Sequence, residues 1–210
     1  MRSKLIEEIK KDLKLNDLQR SILVGLILGD GHLETFNDGR TYRLKIEHSV
    51  KQKEYLDWLY LKFKNLTNQE PKLKLKSGRP LSYWFTTYSL GMFRFYGQQF
   101  YAGRKKIIPK VIEKLLDPVA LAIWFMDDGS LKSNHHKTYI IHSIGYSTED
   151  LELVKKALKK KFNIDISLHK QYNRKRIYVT SDSAEKFREL VKPHMIPSLM
   201  YKLGNTMPKE

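Results

Sequence analysis

The sequence predicts an α+β fold made of two pseudo-symmetric α-β-β-α-β-β-α units, each with an antiparallel sheet. Two observations predict it. An apolar segment that ends in Asp-Gly occurs twice, and the same succession of strand-like and helix-like periods follows each copy. Hydrophobic residues make up 41% of the 210 residues, which is enough for a packed core and excludes a wholly disordered basic chain.

The repeat is visible in the two apolar segments themselves. They read ILVGLILGDG, from Ile22 to Gly31, and ALAIWFMDDG, from Ala120 to Gly129, and they place Asp30 and Asp128 98 residues apart. The same offset pairs two serines that each open a helical pattern, Ser49 and Ser147. Two matches on one offset indicate a duplicated module.

Local signals define the elements of the first half in order. Asn16 and Gln19 have the spacing of a capping box and open a helix that runs to about Leu28. Asn37-Asp38-Gly39 is a hairpin turn signal, and Ser49 is expected to cap the next helix. Strands are predicted over 32–36, 42–48, 72–76 and 83–88, and a further helix from about 89.

The second half repeats this order. Asp117 is a good N-cap, and Pro118 occupies the first helical position, where its missing N–H costs nothing. Strands are predicted over 130–132, 138–144, 164–170 and 174–180, and helices over 148–161 and 183–191. We therefore expect a first unit over 1–105, a charged connector over 106–116 and a second unit over 117–210. The two sheets are expected to form a saddle, with the apolar helices packed at their junction.

The charge balance points to a polyanionic partner. The chain carries 39 Lys plus Arg against 23 Asp plus Glu, for a net charge of +16. A lysine-biased composition with solvated helix faces is the alternative explanation. The absence of cysteine excludes disulfide scaffolds, thiol nucleophiles and Cys-ligated zinc sites. No apolar run approaches the roughly 20 residues of a membrane span, so no membrane contact is expected.

The strands locate part of this charge. Alternate residues of a strand share a face, so a sheet covered by helices on one side leaves its other face for a ligand. The predicted outward faces are basic and aromatic, which favours a nucleic-acid surface, although edge lysines also protect sheets against aggregation. A two-stranded ribbon suits the major groove of double-stranded DNA better than that of RNA. The candidate DNA-binding residues are Arg40, Arg43, Lys45, Lys72, Lys74, Lys76, Arg79, Trp84, Thr86, Ser167, His169, Arg174, Arg176 and Tyr178.

The two Asp-Gly helix ends are candidates for chemistry. Asp30 and Asp128 stand where the helix dipole is negative and a cation is preferred. A divalent cation would find hard oxygen ligands in both carboxylates and in the unpaired carbonyls of Gly29 and Asp127. A carboxylate pair that holds Mg²⁺ over DNA is an arrangement that hydrolyses phosphodiesters. A single Asp-Gly would instead indicate only a turn.

Glycines one helical turn apart in the first segment permit close packing of the two helices. These are Gly25 and Gly29, and their counterparts Ile123 and Asp127 do not copy the feature. We therefore expect the helices to pack side by side, but asymmetrically.

The motifs resemble those of a known family. LVGLILGDG at 23–31 and LAIWFMDDG at 121–129 are similar to the paired motifs of the LAGLIDADG homing endonucleases, in the single-chain, two-motif subgroup. IIPKVI at 107–112 and KPHMIPSLMYKLGNT at 192–206 resemble the subgroup typified by a yeast mitochondrial ribosomal-RNA intron endonuclease. The sixth motif position holds Leu28 instead of the family's acid, whereas the eighth position keeps Asp30.

The resemblance implies a monomeric, Mg²⁺-dependent enzyme that cuts both strands of a long, asymmetric DNA site across the minor groove, leaves 3′ overhangs and promotes intron mobility. It implies that Mn²⁺ can replace Mg²⁺ and that Ca²⁺ binds without cleavage. It assigns the metal to Asp30 and Asp128, with the carbonyls of Gly29 and Asp127. Lys106 and Lys202 fall where the subgroup places basic residues that organise solvent at the scissile phosphates, and they could alternatively anchor a phosphate.

Two alternative functions are compatible with the fold or with the positive charge but involve no DNA cleavage. One is a DNA- or RNA-binding protein of the same fold, either a transcription regulator or an intron splicing maturase. The other is a basic RNA-associated protein that performs no chemistry.

Overall fold

The structure is a computed structural model, which describes residues 8, 10, 12–133 and 138–204. The chain forms two compact units, one made of residues 1–20 and 30–98 and the other of residues 21–29 and 99–210. Within the described ranges, no helix is both long enough and apolar enough to cross a membrane.

The first part of the chain carries one four-stranded antiparallel sheet with strand order β1-β2-β4-β3. Its elements in chain order are α1 Asp17–Leu28, β1 His32–Glu34, β2 Arg43–Ser49, α2 Lys53–Phe63, β3 Lys72–Lys76, β4 Arg79–Thr86 and α3 Arg94–Phe100. The second part carries another, with order β7-β8-β10-β9, preceded by a short ribbon of β5 and β6. Its elements are β5 Tyr101–Ala102, β6 Lys105–Lys106, α4 Ile112–Leu115, α5 Pro118–Asp128, β7 Gly129–Leu131, β8 Tyr139–Ile141, α6 Thr148–Phe162, β9 Ile166–Gln171, β10 Arg174–Val179 and α7 Ser181–Val191, followed by 3-10 turns over Lys192–His194 and Pro197–Leu203.

The predicted α+β class with two antiparallel sheets in similar halves is confirmed. The same strand order in both sheets, with the second and fourth strands at the centre, is the structural form of the sequence repeat. The end of the second resembling segment, residues 205 and 206, lies outside the described residues.

Helix starts follow the predicted caps in three cases and depart from them in one. Asn16 and Gln19 exchange hydrogen bonds of 2.8 and 3.1 Å between side chain and backbone, which opens α1. The Asp117 carboxylate accepts from the Ala120 N–H at 2.8 Å and opens α5. Ser147 forms a full capping box at the start of α6. The prediction that Ser49 caps α2 is wrong, because a 3-10 turn intervenes over 50–52 and the Ser49 side chain makes no capping hydrogen bond.

Turn geometry sets the strand ends. β1 stops at Glu34, two residues earlier than predicted, because the Thr35 hydroxyl accepts the Gly39 N–H at 3.0 Å and begins the turn. Asp38 and Gly39 take φ of 55° and 78° there, as a left-handed turn requires. Ser77 and Gly78, with φ of 50° and 76°, form a tight turn that lets β4 begin at Arg79. The β3–β4 ribbon is therefore longer than the sequence predicted.

Each unit has an apolar core beneath its sheet. In the first, the inward residues Leu44 and Ile46 of β2 pack with Phe85 of β4 and the buried stripe of α2, which includes Leu56, Leu59 and Phe63. In the second, α5 is buried along its whole apolar length, from Ala120 to Met126. The burial of every α5 side chain in that stretch fits a helix with neighbours on all sides.

Candidate active site and nucleic-acid interface

Gly25 within α1 and Gly29, directly after its last residue, allow the motif helices to touch. A Cβ added to Gly25 would lie 2.5 Å from both the Ala120 carbonyl oxygen and the Ile123 Cβ, and one added to Gly29 would lie 2.6 Å from the Asp127 Cβ. Gly25 and Ile123, and likewise Gly29 and Asp127, are counterparts at the repeat offset of 98 residues. Equivalent positions of the two motifs therefore meet each other, with glycine on one side and a larger residue on the other. The predicted asymmetric, side-by-side packing is confirmed.

A lysine binds the backbone at the end of each motif helix. Lys106 Nζ donates to the Gly29 carbonyl at 2.6 Å, and Lys202 Nζ donates to the carbonyls of Met126 at 2.5 Å and Asp127 at 3.1 Å. Lys202 is only 9% exposed. An ammonium group at a helix C-terminus offsets the negative end of the dipole and satisfies carbonyls that have no partner within the helix. The carbonyls of Gly29 and Asp127 each belong to the residue before a motif acid, Asp30 or Asp128.

An aromatic pair lies beside the second motif acid. The fully buried Trp124 donates from its indole Nε1 to Asp128 Oδ2 at 3.3 Å. The Tyr146 ring packs edge-on against Trp124, with centroids 6.4 Å apart, and the Tyr146 hydroxyl donates to the Leu28 carbonyl at 2.8 Å. Burial, together with the nearby Asp128 charge, raises the pKa of Tyr146 far above its ordinary value. Tyr146 therefore stays a neutral donor at the end of α1.

The first motif acid has a different environment within its own unit. The Asp30 side chain is about half exposed, and its Oδ2 lies 3.8 Å from Nδ1 of the buried His48. His48 in turn packs against the Tyr55 ring at a centroid distance of 4.8 Å. His48 is the repeat counterpart of Tyr146, so the same position carries an imidazole in one half and a phenol in the other.

The residues at the helix ends are chemically suited to a divalent cation. The second motif offers the carboxylates of Asp127 and Asp128 and the Asp127 carbonyl, and the first offers the Gly29 carbonyl followed by the Asp30 carboxylate. All of these are hard oxygen donors of the kind that Mg²⁺ takes. A carbonyl oxygen has two lone pairs, so the hydrogen bonds from Lys106 and Lys202 leave acceptor capacity on Gly29 and Asp127. The donor set fits the metal that the sequence implies.

The outward face of the first sheet is basic but partly neutralised. Arg43 pairs with Glu34 at 2.7 Å, and Lys74 pairs with Glu47 at 2.8 Å. Partial burial opposes ionisation of Glu47, but hydrogen bonds from Lys74 and Ser82 outweigh it and lower its pKa. The strand register places five of the predicted DNA-binding residues on this face: Arg43, Lys45, Lys72, Lys74 and Trp84. Two others, Lys76 and Arg79, pair with each other at the end of the β3–β4 ribbon. Arg40 lies in the turn that precedes β2.

Trp84 lies between two lysines on that face. The Nζ atoms of Lys45 and Lys72 lie 5.9 and 5.6 Å from its ring centroid. Thr86, which we predicted to face DNA, is buried at 7% exposure. The reason lies in the register: Thr86 is directly opposite Lys45 and two residues from Trp84, so two larger side chains flank it.

The outward face of the second sheet carries aromatic, basic and polar side chains that contact one another. His169 and Tyr178 are stacked with ring centroids 4.1 Å apart, the Arg176 guanidinium lies 5.0 Å from the Tyr178 ring, and Ser167 Oγ is 2.8 Å from His169 Nε2. Tyr178 lies on the predicted outward face, opposite Ser167 and stacked on His169, but it is only 9% exposed because its neighbours cover it. Arg174 is exposed at the start of β10. Ile177 and Val179 face the core, as their alternation predicts.

A histidine that the sequence pattern does not single out lies near this stack. Burial and the positive charges of Arg176 and Lys202 lower the pKa of His142, and Ser130 Oγ lies 3.2 Å from its Nε2. The sequence pattern also misses the Trp124–Asp128 contact, because the apolar segment around Trp124 indicates only that its ring is buried. The signal for the contact is a spacing of one helical turn, at which side chains meet.

Comparison with known proteins decides the family. The family model of the LAGLIDADG DNA endonucleases matches residues 20–187. The chain belongs to the LAGLIDADG DNA endonuclease family. The match contains both motifs, at 23–31 and 121–129, and both four-stranded sheets.

Several known endonucleases and a maturase are similar along almost the whole chain. Probable intron-encoded endonuclease 1 of Wickerhamomyces canadensis is 31% identical over 96% of this chain and 90% of its own length. DNA endonuclease I-ChuI of Chlamydomonas applanata is 28% identical over 92% of this chain and 97% of its own. Cytochrome b mRNA maturase bI2 of Debaryomyces hansenii is 30% identical over 89% of this chain and 73% of its own.

Two solved structures have a similar fold. The homing endonuclease I-WcaI, solved bound to its DNA recognition sequence, matches with a TM-score of 0.88 and 28% identity, over 95% of this chain and 92% of that one. I-DmoI, solved in complex with its target DNA, matches with a TM-score of 0.52 and 16% identity, which shows a shared fold alone. The chain thus shares the fold of I-WcaI over nearly the whole length of both proteins.

Proposed function

We propose that this chain is a site-specific endonuclease that hydrolyses both strands of double-stranded DNA with a divalent metal. One observation carries the proposal. Each motif helix ends in a carbonyl that a lysine binds, Lys106 on Gly29 and Lys202 on Asp127, and the next residue is a motif acid. Cutting a duplex requires two hydrolytic events, and a duplicated set of acid, carbonyl and lysine supplies one set for each strand.

Divalent ions would be held at the two helix ends, by the Asp30 carboxylate with the Gly29 carbonyl and by the Asp128 carboxylate with the Asp127 carbonyl. We expect Mg²⁺ as the natural ion, Mn²⁺ as a working substitute and Ca²⁺ as an ion that supports binding without cleavage. When bound, such an ion stabilises the charge that develops on the phosphate and leaving oxygens and makes a water more acidic. The carboxylates of Asp30 and Asp128 would contribute the negative charge that holds the ion beside the DNA.

Lys106 and Lys202 would act on the phosphate and its solvent. Anchoring to a carbonyl restricts each long side chain and keeps a positive charge beside a motif acid, where it can stabilise the pentacovalent phosphorus and orient water. If either lysine instead anchors a non-reacting phosphate, its removal weakens DNA binding and leaves the rate of the bound complex unchanged. A role in the transition state lowers the rate of the bound complex and leaves affinity unchanged.

The outward faces of both sheets would bind the DNA. Their side chains differ in kind, since Trp84 with its lysines lies on one and the His169–Tyr178 stack on the other. Two sheet faces with different side chains would recognise different DNA sequences. We therefore expect a long asymmetric target that a single chain binds as a monomer. We further expect 3′ overhangs and a role in the mobility of an intron that carries the gene.

The proposal is tested by selecting a target from random sequence. A random-sequence duplex library is bound in Ca²⁺, the retained duplexes are moved into Mg²⁺, and the ends on both strands are sequenced. The expected result is one staggered double-strand break with 3′ overhangs within a long preferred sequence. Tight, sequence-preferring binding with intact duplex in both Mg²⁺ and Mn²⁺ would overturn it.

RNA splicing is the second candidate function, and the similarity to cytochrome b mRNA maturase bI2 favours it. The measurement that separates the two is affinity as a function of salt for the selected duplex and for a structured group I intron RNA. An endonuclease without maturase activity keeps its sequence preference on DNA and binds the RNA with no preference over other folded RNAs.

A further inference from the structure

Trp124 is a buried side chain whose polar atom points at a motif acid. Its indole Nε1 donates to Asp128 Oδ2 at 3.3 Å, across one turn of α5, and the residue has 0% exposure. A buried indole N–H needs an acceptor, and here the acceptor is the carboxylate. The hydrogen bond favours the orientation of the Asp128 side chain that brings Oδ2 to the indole.

The Trp124 ring is itself held in place. Tyr146 packs edge-on against it at 6.4 Å with an interplanar angle of 85°, and the Tyr146 hydroxyl is fixed to the Leu28 carbonyl at 2.8 Å. The orientation of Asp128 thus depends on a chain of contacts that runs from the end of α1 through two aromatic rings. All four residues in this series of contacts, Leu28, Tyr146, Trp124 and Asp128, belong to the second compact unit.

The first motif lacks this device. The repeat counterpart of Trp124 is Leu26, which is fully buried and has no polar side-chain atom, and the counterpart of Tyr146 is His48. Asp30 cannot therefore receive a side-chain hydrogen bond from the residue one turn before it. The Nδ1 atom of His48, which follows Asp30 in the chain, is 3.8 Å from Asp30 Oδ2.

We propose that Trp124 is a positioning residue for Asp128, so that one of the two cleavage events depends on Trp124 and the other does not. Its indole orients one motif acid, while the other acid does not depend on it. The proposal rests on the proposed function, since it concerns the use of Asp128 in strand cleavage. Groups that orient a metal-binding side chain typically change affinity or activity by about 10- to 100-fold when removed.

The kinetic test uses Trp124→Phe, which keeps an aromatic ring and removes only the N–H and part of the volume. On a supercoiled plasmid with one selected target, the variant is expected to accumulate nicked circles, because one strand is cut about 10- to 100-fold more slowly and the other at the wild-type rate. Phe125→Leu is the matched control: Phe125 is in the same helix and equally buried, but it packs on Tyr139 and Phe187. Equal slowing of both strands by Trp124→Phe, as by a general loss of packing, would overturn the proposal.

A second readout needs neither metal nor cleavage. The chain has 3 tryptophans, so its ¹H–¹⁵N spectrum contains three indole N–H resonances, and Trp124→Phe identifies one of them. Asp128→Asn is expected to move that resonance, because a charged acceptor becomes neutral, whereas Asp30→Asn is expected to leave it in place. A Trp124 resonance that ignores Asp128→Asn would overturn the proposal. A wild-type protein that binds DNA but never nicks it would contradict the proposed function alone. The indole resonance would still show whether Trp124 donates to Asp128.

Discussion

Lys202 donates from its buried Nζ to the carbonyl oxygen of Asp127, 3.1 Å away, immediately before the acid that ends the second motif. Replacement by methionine keeps most of the side-chain volume and removes the charge. We expect Lys202→Met to fold and to bind the target with nearly wild-type affinity, but to lose about 10²- to 10³-fold in the cleavage rate of the bound complex, as when one transition-state donor is deleted.

The control for Lys202→Met is Lys186→Met, which removes an exposed lysine of α7. Single-turnover cleavage and binding in Ca²⁺ are measured for both variants. A Lys202→Met variant that binds weakly but cuts normally once bound would identify Lys202 as a phosphate anchor.

Gly25 is a position where the usual effect of alanine should reverse. In a helix interior, Gly→Ala ordinarily stabilises by about 1 kcal/mol. Here the added methyl would lie 2.5 Å from the Ala120 carbonyl oxygen and from Ile123, so the helices must separate. We expect Gly25→Ala to lower the free energy of unfolding by about 1–3 kcal/mol, measured by urea denaturation.

Gly145→Ala supplies the comparison for Gly25, because its Cβ would meet nothing within 4 Å. Its effect on the free energy of unfolding should be small. A Gly25→Ala protein that is more stable than the wild type would show that the motif helices do not pack through this glycine.

Glu47 should make stability depend on pH in acid. Its pKa in the folded protein lies below the ordinary value of 4.5, since hydrogen bonds from Lys74 and Ser82 outweigh partial burial. A lowered folded pKa gives a stabilisation that is present above about 4.5 and is lost as the pH falls through the folded pKa. The difference in free energy of unfolding between the wild type and Glu47→Gln should therefore be larger at neutral pH than in acid. A difference that is constant with pH would contradict the ion pair.

The β3–β4 ribbon should contribute to the salt dependence of DNA binding. Lys76 and Arg79 pair across its exposed end. If each contacts one phosphate, each change to alanine reduces the slope of log affinity against log salt by about 0.9. Lys155→Ala, on the exposed side of α6, is the matched control and should leave the slope unchanged. Equal effects of the ribbon and α6 variants would mean that the positive charge acts as a whole and not through the sheet face.

Much of the fold could be predicted because its sequence signals are local and repeated. Asn16 with Gln19, and Asp117 with Pro118, define their helices through hydrogen bonds within one turn of the chain. The prediction for Ser49 failed because the same residue type can also precede a 3-10 turn, and the choice depends on packing. The Trp124–Asp128 contact escaped because an apolar segment identifies a buried ring without saying where its N–H points.

The sequence predicts which face of each strand carries the positive charge, but not which residues on that face are open to a ligand. Alternation along β2 and β10 correctly separates inward from outward residues. Which outward residues are open to a ligand depends on neighbours in other strands, and those come from the register. Glu47 therefore neutralises part of the basic face, and the stack with His169 covers Tyr178.

Replacement of the two motif acids tests the central claim most directly. The wild type, Asp30→Asn and Asp128→Asn are compared on one selected duplex, with binding measured in Ca²⁺ and both strands followed in Mg²⁺. We expect the wild type to make a double-strand break, and each asparagine variant to bind the duplex tightly without making one. An asparagine variant that breaks the duplex at the wild-type rate would contradict the assignment of catalysis to the ends of the motif helices.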